Sequence, residues 1–274
     1  MGRRAQRTVV DHDAAVDLGL ESRVVAVTGG SSGIGLATVE SLLGEGAWVA
    51  TCARDARRLR EAVSHLDPDR LLAVPADVVD AVATSAFIEA ALERFGRLDA
   101  LVNNAGHGTP GRLDELVDAD WRHELDGKVL GILSPTRAAI RYLERSDAAR
   151  IVNISAVSAR EPDPGMLAVS AARAAGSNLS RGLAAELIAR GILVYTVAVG
   201  VVATGRTRER HERTAPDQPY AEWVVEEAAR RGVPLGRLGR PEEVAAAVTF
   251  LASPLASYTA GATLTVAGGL GHSW

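Results

Sequence analysis

Lysine is nearly missing from this chain: of 30 basic residues only Lys128 is a lysine, and all the others are arginine. Cysteine is equally scarce. The single Cys52 excludes an internal disulfide framework and fits a reducing, cytoplasmic setting. No apolar run reaches membrane-spanning length, and the first residues lack the apolar region of a signal peptide, so no membrane partner is expected. A formal charge of −4 argues against a general nucleic-acid binder. There is no repeat, no low-complexity tract and no linker that would separate a second domain, and no metal is called for.

What is present is a globular composition. With 274 residues, 47% of them hydrophobic, the chain can build one large α/β domain with a sizeable core. Residues 1–20 read as a loose N-terminal arm with Arg3, Arg4 and Arg7. Residues 21–274 read as a single domain. Short apolar runs alternate with longer amphipathic stretches. The runs are Val24–Val27, Trp48–Thr51, Leu71–Val74, Ala100–Asn103, Ile151–Ile154, Leu193–Val199 and Ala262–Val266. The helical stretches include Leu36–Leu43, Ala56–Leu66, Val82–Phe95, Leu113–Leu143, Leu167–Arg190 and Pro241–Leu251. Strict alternation predicts a Rossmann-type, doubly wound parallel sheet with helices on both faces.

The organising stretch is Thr28-Gly29-Gly30-Ser31-Ser32-Gly33-Ile34-Gly35, between the first strand and the first helix. Strand, glycine turn and helix in that order aim unpaired backbone N–H groups and a positive dipole end at one spot, which suits a pyrophosphate. Gly29, Ser31, Ser32, Gly33, Ile34 and Gly35 are therefore candidate cofactor contacts. The second strand ends without an acid and runs into Arg54. An arginine there accommodates a 2′-phosphate, which points to NADP(H). Asp55 is the counter-signal, with a second reading as the cap of the next helix. Asp77-Val78 and Asn103-Asn104-Ala105-Gly106 close the third and fourth strands at the ligand edge, adding Asp77, Val78, Asn103, Ala105 and Gly106 to the candidates.

These motifs, with Ile151–Ser155, the Pro234-Leu235-Gly236-Arg237…Pro241-Glu242-Glu243 stretch and the closing Thr265–Gly269, resemble the short-chain dehydrogenase/reductase family from about Leu20 to Leu270. The resemblance implies an NAD(P)(H)-dependent oxidoreductase acting on a small molecule as a homodimer or homotetramer. It also implies a catalytic set of Asn, Ser, Tyr and Lys. Here the chain departs. The serine position falls on Ala156, the tyrosine on Val169, the lysine on Arg173 and the asparagine on Lys128. No other tyrosine restores the pair: Tyr142, Tyr195, Tyr220 and Tyr258 are followed four residues on by Ser146, Val199, Val224 and Ala262.

Val169 cannot move a proton, whereas Arg173 can still hold a ribose hydroxyl. Lys128 can donate a proton if burial and Arg173 depress its pKa. The alternative for Lys128 is a solvated lysine paired with the nearby Asp126. His107 could reach the substrate side, and Ser155, Ser158 and Ser170 are local hydroxyls, with Ser155 expected to point away. After the sixth strand Thr204 keeps the resemblance's nicotinamide contact and Val199 replaces a proline, and residues 205–235, highly charged here, stand where the resemblance implies a variable substrate lid. The lid arginines could meet an anion, against a self-paired helix with their interspersed glutamates. The expectation is an NADP(H)-dependent reductase using Lys128 and Arg173. The alternatives are a non-redox enzyme reusing the pocket and a catalytically silent binding subunit.

Overall fold

The structure is a computed structural model, which describes residues 16–271. Most of the predicted arm lies outside the described residues. Its inner boundary moves: Leu20 is buried against the core, so the packed chain begins before residue 21.

Seven strands form one parallel sheet: β1 (Val24–Thr28), β2 (Trp48–Ala53), β3 (Leu71–Pro75), β4 (Ala100–Asn103), β5 (Arg150–Ala156), β6 (Leu193–Val199) and β7 (Thr263–Val266). Their order is β3-β2-β1-β4-β5-β6-β7. The order reverses between β1 and β4, and there the carboxyl ends of the strands open a crevice. Side-chain alternation along β1 builds the two faces: Val24 and Ala26 enter one core, Val25 and Val27 the other. The first core is covered by α3 (Ala81–Phe95), α5 (Gly131–Leu143) and α6 (Leu167–Leu187). The second is covered by α1 (Gly33–Gly44) and α9 (Pro241–Ala252). Between strands lie α2 (Ala56–Val63) and α4 (Asp118–Leu125), and between β6 and α9 lie α7 (Gly205–Thr214) and α8 (Tyr220–Arg230).

Local chemistry sets the boundaries. Asp80 caps α3 by accepting from the Val82 and Ala83 amides, and Gly96 ends it at a φ of 79°. Asp55 caps α2 by accepting from the Arg58 amide, which settles its role as a helix cap.

One predicted helix is wrong as drawn. Leu113–Leu143 does not form a continuous α-helix: Leu113 is exposed in a turn, and α4 starts at Asp118. A five-residue π turn, Asp126–Leu130, then joins α4 to α5. The apolar spacing continues across the π turn, which hid the break. Among the described residues, no helix is long and apolar enough to cross a membrane.

Candidate active site

The glycine turn is fastened from below. The Thr28 hydroxyl donates to the Val102 carbonyl and accepts from the Asn104 and Ala105 amides. The Asn104 amide nitrogen donates to the Thr28 and Gly29 carbonyls at 2.9 and 3.2 Å. This ties the β1 turn to the β4 turn and fixes the floor of the crevice. Gly29 and Gly33 have φ of 77° and 56°, a region where a side chain is strained. The Ser31 and Ser32 amides have no acceptor among the described residues, and Ser32 gives α1 no side-chain cap. A helix start left open in this way suits a phosphate. Gly33 lies across from Thr204: a Cβ on it would come 3.2 Å from the Thr204 methyl.

Arg54 is exposed beside this floor and makes no ion pair among the described residues. Asp77 accepts from the Val79 amide at 3.2 Å, and Val78 is buried behind it. The Asn103 side-chain nitrogen is buried and donates to Asn153 at 2.8 Å and Thr136 at 3.3 Å, so it braces β4 against β5. The Ala105–Gly106 backbone stays at the crevice, and Arg206 of α7 donates to the Gly106 carbonyl at 2.8 Å.

Lys128 sits on the π turn, a helix irregularity often found at functional sites. It is 7% exposed, which rules out a solvated lysine, and its partner is Glu124 rather than Asp126. Its Nζ donates to the His107 carbonyl and lies 3.4 Å from Glu124 Oε2. A Cβ on Gly106 would come 3.4 Å from the same Nζ, so the amine borders the crevice. Burial first, then the charge of Arg173, pull the Lys128 pKa down to about 8, with Glu124 opposing. Arg173 is half-buried on α6 and has no hydrogen-bond or ion-pair partner among the described residues. Burial lowers its pKa too, to about 10, so it remains a cation at neutral pH.

Val169 is buried beside Gly108, where a Cβ would come 3.4 Å from its methyl, so the position aligned with tyrosine is filled by apolar packing. Ser155 bonds Ser177 at 2.7 Å and does point away. Ser170 accepts from the Asp163 amide. Ser158 lies on a short 3-10 turn, Val157–Ala159, and carries no assigned contact. Cys52 is buried and its thiol is pushed up to about 12, which makes it inert.

Sequence reasoning missed Glu124. This carboxylate is fully buried, accepts from the Thr109 amide at 2.8 Å and lies 3.5 Å from His107 Nε2. The signal was there, a glutamate four residues before the lone lysine on one helix face. The lid arginines also differ from the self-paired reading. Arg210 crosses to the buried Glu227 of α8, which also holds Arg230 and Arg231, and Arg231 reaches Asp163 at 2.6 Å.

Residues 23–215 match the short chain dehydrogenase family. A short-chain oxidoreductase from Pseudomonas aeruginosa PAO1, solved with NADPH bound and containing an atypical catalytic center, is 44% identical, with a TM-score of 0.88 over 93% of this chain and 99% of that one. The short-chain reductase protein NovJ of Streptomyces niveus is 36% identical over 260 residues, 94% of this chain and 97% of that one. L-sorbose reductase from Gluconobacter frateurii, complexed with NADPH and L-sorbose, is 29% identical with a TM-score of 0.89, over 94% of this chain and 100% of that one. With its sheet order, its glycine turn and its relatives in agreement along almost the whole length, this chain belongs to the short-chain dehydrogenase family of oxidoreductases.

Proposed function

We propose that the chain is an NADP(H)-dependent oxidoreductase that reduces an activated C=O, C=C or C=N bond of a small molecule, with Lys128 and Arg173 in place of the family's usual catalytic side chains. The observation that carries the reading is the buried Lys128 amine at the crevice, next to an unpartnered Arg173. The open amides of Ser31 and Ser32, the bare Gly29–Gly35 turn and the free Arg54 fit a dinucleotide phosphate and its 2′-phosphate. NADPH in the relatives from P. aeruginosa and G. frateurii supports the same choice. Asp77, Val78, Ala105 and Gly106 would line the adenine side, Arg173 the nicotinamide ribose and Thr204 the carboxamide. When bound, the cofactor supplies the hydride.

The chain supplies the rest. Arg173 orients and adds positive charge where negative charge develops on the substrate. Lys128 gives a proton to the atom that becomes electron-rich. Val169 and Ala156 move no proton, so the reading favours substrates that need little acid assistance. On this reading the protein works in the cytoplasm as a homodimer or homotetramer; the support is α6, whose Ala171 and Ala174 are exposed and small enough for close helix approach.

A titration with NADPH and NADH, read by nicotinamide fluorescence, tests the cofactor. Arg54→Ala should weaken NADPH binding on the order of ten- to a hundredfold, the worth of a charged hydrogen bond, and leave NADH nearly unchanged. Binding of neither nucleotide to the parent protein would sink the redox reading. The pH dependence has a definite sign. Lys128 donates only as the ammonium, which is full below a pKa of about 8 and lost above it. The reduction rate should therefore fall as pH rises through that value, and a flat profile to pH about 10 would count against Lys128 as the acid.

A lowered amine pKa also suits attack on a carbonyl. Borohydride trapping of a carbonyl substrate on Lys128 would move the assignment to amine chemistry. NADPH binding without turnover on ketone, enone and imine panels would move it to a silent binding subunit.

A further inference from the structure

The Lys128 amine is a proton donor set in a nearly closed space, so each turnover leaves it neutral and in need of a proton. The residues that face it from every packed element are Glu124 of α4, His107 of the β4 turn, Arg173 of α6 and Arg206 of α7, with Arg54 and His123 facing His107. The three arginines hold no proton to spare near neutrality. Glu124 and His107 are the exchangeable groups in the line. Glu124 Oε2 lies 3.4 Å from Lys128 Nζ and its Oε1 lies 3.5 Å from His107 Nε2. That imidazole nitrogen is buried and has no hydrogen-bond partner among the described residues. On its outer side the exposed His123 sets a second imidazole against His107, with ring centroids 4.1 Å apart.

We propose that His107 and Glu124 form a proton relay that recharges Lys128 from solvent, so that Glu124 is the residue bridging a histidine and the catalytic amine. This rests on the reading of Lys128 as proton donor. In the reducing direction the Nζ–H bond breaks and the proton goes to the substrate atom made electron-rich by hydride from the reduced nicotinamide cofactor. The His107 Nε2–H bond then breaks, and its proton passes to Glu124 Oε1. The carboxyl group turns and delivers that proton to the neutral Nζ, which restores the ammonium and the carboxylate. As that proton leaves, His107 Nδ1 takes one from water on the His123 side, so the ring stays neutral throughout and a ring flip returns its N–H to Glu124. Burial holds the His107 imidazole below its usual pKa, which keeps it in the neutral form that passes a proton from one ring nitrogen to the other.

The lone lysine makes the relay measurable without substrate or cofactor. Protein labelled with 13C and 15N in lysine gives one side-chain ε signal, from Lys128. Glu124→Gln keeps the acceptor for the Thr109 amide and removes the charge. It should lower the Lys128 titration midpoint by about one pH unit or more, the effect of losing an adjacent opposite charge. Exchange of the Nζ protons with water should slow by about tenfold or more in both His107→Ala and His107→Gln, an expected loss of one strong general-catalysis step. Imidazole in the buffer should restore exchange in His107→Ala and leave the parent unchanged. Unchanged exchange in the His107 variants, slowing that imidazole does not rescue, or an unmoved midpoint in Glu124→Gln would each overturn the relay. Because these readings use the free protein, they separate from failure of the reductase assignment, which is judged by turnover of Lys128→Met.

Discussion

Lys128→Met is expected to lose turnover by at least about a hundredfold, the lower range for removal of a general acid, while NADPH binding persists. Methionine fills the same volume without an amine, and the cofactor contacts argued for Ser31, Ser32 and Arg54 do not pass through residue 128. Lys128→Arg should not restore the rate, because a guanidinium stays charged and does not give up a proton. A companion Lys128→Met/Glu124→Gln protein guards against a trivial loss: the single change strands a fully buried carboxylate without its cation, and the pair removes both. If the double variant folds, binds NADPH and still turns over at the parent rate, Lys128 is not the acid.

The second large effect is structural and sits at Gly35. A Cβ there would lie 2.1 Å from the Gly29 carbonyl oxygen and 2.4 Å from the Asn104 side-chain nitrogen. Neither neighbour can yield cheaply. The carbonyl belongs to a turn at positive φ, and the Asn104 amide is the strut that holds that turn to β4. Gly35→Ala should therefore cost about 3 kcal/mol, the upper end of overpacking penalties. For a chain of this size that lowers the melting temperature by roughly 6–12 °C. NADPH affinity should fall with it, since the Ser31 and Ser32 amides lose their aim. A melt and a titration on one sample check both, and parent-like values in both would show that the turn is looser than its contacts imply.

The fold was legible because its signals are local and repeated. β-branched runs alternate with amphipathic stretches, and the glycine turn stands where a strand meets a helix. The crevice was legible for the same reason: the glycine turn at its floor is read from position along one βαβ unit. Position at a strand end says nothing about which way a side chain turns, and the two buried partners of the Asn103 amide were not legible. The catalytic side needed contacts between distant segments. His107 and Glu124 are 17 residues apart in sequence and meet only because the β4 turn folds onto α4. Alignment position could flag Lys128, Arg173, Ala156 and Val169, yet it could not show that the lysine faces a buried glutamate instead of Asp126.

The π turn at Asp126–Leu130 carries a consequence of phase. An α-helix advances about 100° per residue, so a helix entered at α4 would reach the sheet with one fixed set of faces. The wider turn takes up an extra residue and lets the chain slip out of step between Asp126 and Gly131. Ahead of it Glu124 faces Lys128, which sits within the wide turn; behind it, Ile132, Ala139 and Leu143 look into the core. In an unbroken helix, turning one set into place would turn the other out by about 100°. The misfit is what allows the same rod to hold a buried ion pair at one end and pack the core at the other.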